Sequence, residues 1–283
     1  MPTQALSPYD QPYTVSADSV SRYQQDFHIC LRDVCSGDVL QEARQEIHAA
    51  VKRRGVDPTP LSERTTYGKA FLQIINLWAD NEPLKPFVLG KRFGRIAAEL
   101  MGVEGVRIYH DQALFKEAGG GHTPWHQDQH YWPIDSDHTI TMWMPLVDVD
   151  QSMGTMNFAT GSHACGYLGD MPISDESEAR FETFCADKGF NIINYGAMNA
   201  GDATFHSGWC LHGAPGNSSS HLREVMTIIF VAHDAHILPD PDPENRWNQN
   251  RRSDLKSWFP GCEPGSPINS HLNPIIWHRD QDE

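Results

Sequence analysis

His126-Gln127-Asp128 places an imidazole and a carboxylate two positions apart. On an extended segment, residues i and i+2 point to the same side, so both groups can aim at one point. One imidazole and one carboxylate are two-thirds of the two-His-one-carboxylate set. That set covers one face of an iron octahedron and leaves the other positions open. Taken alone the pattern is weak. The chain has 15 histidines, five of them between His110 and His138, and His278-Arg279-Asp280 matches the same pattern. The second match lies close to the C-terminal end, where fraying makes a solvated tail the expectation.

The downstream sequence separates the two matches. Gly201-Asp202 leads into a strand carrying Phe205-His206 and ending at Leu211-His212-Gly213. The segment APGNSSS has turn composition, and the chain then returns through His221-Leu222-Arg223 into the apolar run EVMTIIFV. Two strands joined by a turn would bring His212 and Arg223 into one cavity. A buried arginine facing a metal site needs an anion, and its planar fork suits a carboxylate. The distal carboxylate of 2-oxoglutarate meets that need while the other end of the molecule chelates the metal.

Four stretches carry a family resemblance: YHDQALFK at 109–116, TPWHQDQHYW at 123–132, MGTMNFATGSH at 153–163 and GDATFHSGWCLHGAPGNSSSHLR at 201–223. Together they resemble the phytanoyl-CoA dioxygenase family of Fe(II)/2-oxoglutarate oxygenases, over roughly residues 20–235. The departure is Ala159-Thr160, where the family usually has a hydrophobic residue and proline before Gly-Ser-His. The resemblance implies a mainly β fold, a double-stranded β-helix (jelly roll, cupin-like) with flanking N-terminal helices and iron at its mouth. It implies His126, Asp128 and His212 as iron ligands, catalytic in that sense, and Arg223 as the anchor of 2-oxoglutarate. Gln112 falls where relatives place an amide near the cofactor's other carboxylate. Iron(II), 2-oxoglutarate and dioxygen are then the expected cofactor and co-substrates, with succinate and carbon dioxide as by-products. Retention of Asp128 points to hydroxylation, desaturation or ring chemistry rather than halogenation.

Neighbouring residues have competing roles. His206 shares a face with His212 if the strand has no bulge, but the spacing to Arg223 selects His212. His130 continues the face of His126 and Asp128 if that strand runs on, and either lines the substrate pocket or pairs with the backbone. Trp132 is a pocket candidate, with Trp143 and Trp209 behind it, although aromatics in sheets usually belong to the core. Asn157 suits a turn as well as a cofactor contact. The segments 65–80 and 235–262 and the stretch after Asp128 are the expected substrate contacts.

The elements that must position these groups read as helices first, then strands. Val39, Ala43, Ile47 and Ala50 recur at helical spacing and predict an amphipathic helix over Asp38–Lys52 with Ser36 as its cap. A second helix begins near Pro86, buries Phe93, Ile96, Ala97 and Leu100, and stops at Gly102. Strands are expected at 105–116, 138–149, 154–159, 191–198, 202–212 and 221–233. Residues 1–18 read as an extended arm, 55–66 as a loop and 235–262 as a long loop. The expectation is a single domain over 1–283.

Composition narrows the function. With a net charge of −15 and no basic run, the chain gains nothing from phosphate neutralisation, so neither nucleic acid nor an anionic membrane is an expected partner. The same charge disfavours a polyanionic CoA ester as the small-molecule substrate. No apolar run approaches the ~20 residues that span a bilayer, and no secretory pattern opens the chain, so a cytoplasmic protein is expected. The six cysteines form no CxxC pair and read as free thiols. The alternative is a metal-binding β-barrel without redox chemistry, such as a zinc hydrolase or sensor. Arg223 discriminates, because a hydrolase has no use for a fixed cation there.

Overall fold

The computed structural model describes residues 7–55 and 58–281. Its helices are α1 (Ala17–Asp26), α2 (Gly37–Arg54), α3 (Thr66–Ala70), α4 (Lys85–Val88), α5 (Lys91–Met101), α6 (Asp175–Lys188) and α7 (Gln249–Trp258). Its strands are β1 (His28–Leu31), β2 (Leu72–Ile75), β3 (Gly105–Lys116), β4 (Thr123–His126), β5 (Ile134–Asp135), β6 (Thr139–Pro145), β7 (Asn157–Ala159), β8 (Ile192–Asn194), β9 (Ala203–Ser207), β10 (His212–Ala214), β11 (Arg223–Ala232), β12 (His236–Ile237) and β13 (Ile275–His278). A seven-stranded antiparallel sheet runs β1-β9-β6-β11-β3-β13, with β2 also on β3. It faces a four-stranded sheet, β4-β10-β7-β8. This is the expected jelly roll.

The large sheet has two different faces because side chains alternate along each strand. Met226, Ile228 and Phe230 of β11, with Met142 and Met144 of β6, point outward into a core shared with Leu40 and Ile47 of α2 and Phe93 and Ile96 of α5. The intervening residues point toward the small sheet. One row of register partners crosses four strands as His206, Thr141, Ile229 and His110. The next crosses Trp143, Thr227, Gln112 and Ile75. On the far side of the small sheet, Phe181 and Cys185 of α6 pack with Ala159 and Leu211.

Several expectations change. The extended arm ends at Ser16, whose side chain accepts from the Ser19 backbone N–H and starts α1; residues 1–6 of that arm lie outside the described residues. Ser36 sits at the N-cap of α2 without a side-chain cap bond. The second helix is two, α4 and α5, broken at Gly90, where a Cβ would meet the Tyr9 carbonyl at 2.9 Å; Gly102 closes α5 in the left-handed region as expected. Residues 202–212 are not one strand. A Cβ at Gly208 would lie 2.6 Å from both Gln129 Oε1 and Thr139 Oγ1, and from this glycine the chain leaves β9 and crosses to the small sheet as β10. His212 and Arg223 therefore sit on opposite sheets rather than on a hairpin. The 235–262 region is not a bare loop, since it holds β12 and α7. His278 is not in a frayed tail, since β13 pairs with β3. All six cysteines are free thiols. No helix among the described residues is long and apolar enough to cross a membrane.

The Gly201-Asp202 pair is explained by the join between β1 and β9. Gly201 has φ +89°, and a Cβ there would stand 2.0 Å from the Cys35 carbonyl oxygen. The buried Asp202 carboxylate accepts from Arg32 at 2.8 Å, Asp33 N at 2.9 Å and Asn199 N at 2.8 Å. Gly201→Ala is expected to lower stability by at least ~2 kcal/mol, combining the φ penalty with backbone overlap. Urea denaturation checks this, and an Ala variant as stable as the parent contradicts the reading.

Candidate metal centre and its cavity

His126 and His212 are direct register partners across β4 and β10, which is why two residues 86 positions apart meet. Gly213 follows His212 at a register shift, where a Cβ would lie 3.0 Å from the Thr123 carbonyl. β4 ends at His126. Gln127 stays extended at φ −111°, ψ 125°, so Asp128 still returns to the face of His126, and a short 3-10 turn then begins. One ligand atom from each of His126, Asp128 and His212 lies within 4.8 Å of the others.

The ring tautomers follow from the hydrogen bonds. His126 Nδ1 lies 2.8 Å from the Pro124 carbonyl and His212 Nδ1 lies 2.9 Å from the Cys210 carbonyl. A carbonyl only accepts, so each Nδ1 carries the proton and each Nε2 presents a lone pair. Asp128 Oδ1 lies 3.4 Å from His126 Nε2 and 3.6 Å from His212 Nε2. Burial holds the His212 imidazole well below its ordinary range, and the His126 and His206 rings add to this. Burial works to raise the Asp128 carboxyl, but the His212, His126 and His206 imidazoles outweigh it and hold it well below the usual carboxylate range. Neutral imidazole lone pairs and an ionised carboxylate oxygen converging on one point fit a divalent cation, and two histidines with one carboxylate suit iron(II).

The large sheet fixes the other oxygen of Asp128. Thr141 Oγ1 donates to Oδ2 at 2.9 Å, and His206 Nε2 lies 3.3 Å from the same atom. The sequence placed His206 on the right face; the structure makes it a neighbour of Asp128 and leaves it outside the ligand cluster. Thr141 has no sequence signal beyond its place in an alternating strand.

The cluster opens into a cavity of about 470 Å³ between the sheets. Arg223 lines it and is 2% exposed. Its Nη1 donates to the Gly154 carbonyl at 2.7 Å and its guanidinium stacks over Trp143, but its buried Nε has no partner. No carboxylate among the described residues pairs with it, and burial pushes it down to about 9. The buried Lys116 is its register partner on β3, with Nζ donating to the Gly121 and Pro215 carbonyls, and it is pushed down to about 6 by burial and by Arg223. This end of the cavity therefore lacks an anion.

Gln112 also lines the cavity, with Oε1 accepting from Gln73 Nε2 at 2.7 Å. Trp132 and Trp143 line it too; Trp209 does not, and its indole donates to Asp137. His130 is a correction. The strand stops before it, so it leaves the ligand face, lies 3.3 Å from Asp170 and is absent from the cavity wall. Asn157 is likewise off the wall, accepting from Asn194. Tyr67, Phe71, Gln73 and Ile75 of the 65–80 segment line the cavity. Asn250, Asp254 and Trp258 line the cavity from the 235–262 segment, on the helix α7 where the sequence predicts a loop. His278 and Asp280 lie outside the cluster, with Asp280 exposed.

The sequence model of the family described as Phytanoyl-CoA dioxygenase (PhyH) matches residues 23–225. A curated relative, the probable alpha-ketoglutarate-dependent hypophosphite dioxygenase of Stutzerimonas stutzeri, is 25% identical over 144 residues, and the match spans 48% of each chain, about half the length of that relative. Among solved structures, the alpha-ketoglutarate-dependent carbocyclase SnoK from nogalamycin biosynthesis matches with TM-score 0.74 at 21% identity, covering 94% of this chain and 99% of that one. The epimerase SnoN from nogalamycin biosynthesis gives 0.69 at 19%, covering 91% and 97%. EctD from S. alaskensis, solved with 2-oxoglutarate and 5-hydroxyectoine, gives 0.66 at 15%, covering 94% and 92%. These structural likenesses establish the shared fold.

Thr141→Val keeps the side-chain shape but removes the donor to Asp128. It is expected to weaken iron(II) affinity about ten-fold, in the range typical of groups that orient a metal ligand. Metal titration with a competing chelator measures this, and an unchanged affinity would remove Thr141 from the site.

Proposed function

The chain belongs to the phytanoyl-CoA dioxygenase family, and from that premise we propose that it is an Fe(II)- and 2-oxoglutarate-dependent dioxygenase that hydroxylates an aliphatic C–H of a small-molecule metabolite or natural-product intermediate. The observation that carries this reading is the pairing of the His126/Asp128/His212 cluster with a buried arginine that lacks an anion in the same cavity. A metal-binding barrel without redox chemistry gives no reason for the second feature.

In this reading His126, Asp128 and His212 hold the iron. When bound, iron supplies the binding and activation of dioxygen that no side chain here provides. The overall conversion consumes the substrate C–H, dioxygen and 2-oxoglutarate and yields the alcohol, succinate and carbon dioxide. The chain's own residues position and enclose the reactants. Arg223 takes the distal carboxylate of 2-oxoglutarate, satisfying its free Nε. Gln112, reached through Gln73 and Tyr67, presents an amide toward the other end. Each Nδ1 keeps its proton in a hydrogen bond to a backbone carbonyl, which leaves the Nε2 lone pair free. Trp132, Trp143 and Ile229 keep water from the reacting carbon.

The wall also limits the substrate. Among the described residues Arg223 is the single Lys or Arg on it, and 2-oxoglutarate would occupy that group. A CoA ester would have to place its phosphates elsewhere. A small oxyanion such as the hypophosphite named for the S. stutzeri relative finds no second cation.

The test is succinate release by iron-loaded protein with 2-oxoglutarate and a metabolite panel, with the oxidised product identified by mass spectrometry. Asp128→Ala is expected to abolish turnover, and full activity in that variant would end the assignment. Arg223→Gln is expected to weaken 2-oxoglutarate binding about 100-fold, as loss of one partner from a buried charge pair does. Iron affinity should stay within about two-fold, since Arg223 touches no ligand. Calorimetry with each component separates these effects.

A further inference from the structure

Asp254 stands on the cavity wall, and no Lys or Arg among the described residues balances it. Asn250, Asp254 and Trp258 recur at four-residue spacing and present one face of α7 to the cavity. The helix is held firmly. Arg251 is 1% exposed and donates to the Gln129 carbonyl at 2.8 Å and the Trp132 carbonyl at 3.1 Å, which ties α7 to the turn carrying Asp128. Asp254 Oδ2 accepts from the Tyr109 hydroxyl at 2.6 Å, and the Trp258 side chain also hydrogen-bonds the carboxyl. Both donors are neutral. Among the described residues, no Lys, Arg or His forms an ion pair with Asp254.

The surroundings suit an organic cation. Tyr67, Phe71, Tyr131, Trp132 and Trp258 supply aromatic surface, and a cation over an aromatic face gains further attraction. The nearby His110 is held neutral, pushed down to about 3 by burial. Asp254 and the metal cluster line the same cavity. The Tyr67 phenol, raised above its ordinary range first by burial, is raised further by Tyr131, Asp128 and Asp254. Burial raises Asp254 to about 6 against the Tyr109 and Trp258 hydrogen bonds, as expected of a carboxylate without a counter-ion. The Arg223 end is distant, because Lys116, its register partner, stands seven residues along β3 from Tyr109, about 23 Å of strand.

We propose that Asp254 is the cation-binding end of the substrate site, and that the substrate is an organic ammonium whose hydrocarbon body lies between Asp254 and the His126/Asp128/His212 cluster. The proposal rests on the oxygenase reading for what happens to that body, but the binding preference can be measured apart from turnover.

Protein loaded with iron(II) and 2-oxoglutarate under anaerobic conditions is titrated by calorimetry with three probes of one shape: cyclohexylammonium, cyclohexanol and cyclohexanecarboxylate. The ammonium is expected to bind about ten-fold more tightly than the alcohol, the size of one charge-assisted hydrogen bond, with the carboxylate weaker than both. Asp254→Asn should bring the ammonium down to the alcohol's affinity and leave the alcohol unchanged. Tyr109→Phe removes the same anchor on α7 but keeps the charge, so it should keep the preference. Asp254→Ser is a second neutral variant, and a preference surviving in either folded neutral variant overturns the proposal. So does a wild-type protein that binds the ammonium no better than the alcohol, or not at all. In the same samples 2-oxoglutarate binding is followed by the charge-transfer absorption of its iron(II) complex. Loss of that absorption with probe discrimination intact counts against the oxygenase reading alone.

Discussion

Three lone pairs aimed at one point are unstable without a cation, and the protein is built to hold them there. The Pro124 and Cys210 carbonyls each accept a hydrogen bond from Nδ1–H, so in the neutral imidazoles of His126 and His212 it is Nε2 that presents the lone pair. Thr141 occupies one oxygen of Asp128 and leaves the other facing the imidazoles. Metal binding is therefore the natural resolution of a geometry imposed by the sheets.

That geometry needs both sheets. The small sheet carries the two histidines as register partners and delivers Asp128 just past the end of β4. The large sheet supplies Thr141 and His206 from one register row. A slip of one residue in β6 or β9 would turn that row outward into the helix-covered core. The outer face, packed on α2 and α5, thus fixes the register that the inner face uses.

The cavity has opposite charges at its two ends. Among the described residues Arg223 has no carboxylate partner and Asp254 no cationic one, and both line the cavity that holds the metal cluster. Each uncompensated group costs free energy in the empty protein and is relieved only by a ligand of the right sign.

The ligand set and the arginine were legible in the sequence because their spacings are short-range or were supported by a family resemblance covering most of the chain. The jelly roll was legible from turn-bounded apolar stretches, and β3 and β11 fell close to where alternation put them. The rest depended on packing. β1, β2, β4 and β13 are only four residues long each and carry mixed polar and apolar residues, and their partners lie far away in sequence. α7 has a polar sequence because one of its faces meets solvent and another lines a polar cavity, so its periodicity gave no helix signal. His130 could not be excluded from the site without knowing that a 3-10 turn follows Asp128. The sequence by itself determined which residues could bind a metal and a dicarboxylate, since chemical type and local spacing are written in it. Only the tertiary structure decided which oxygen of Asp128 faces the metal, that His206 stands behind the ligands, and that Asp254 faces the cavity. Those facts depend on the register between distant strands and on the docking of α7, and neither is a local property of the chain.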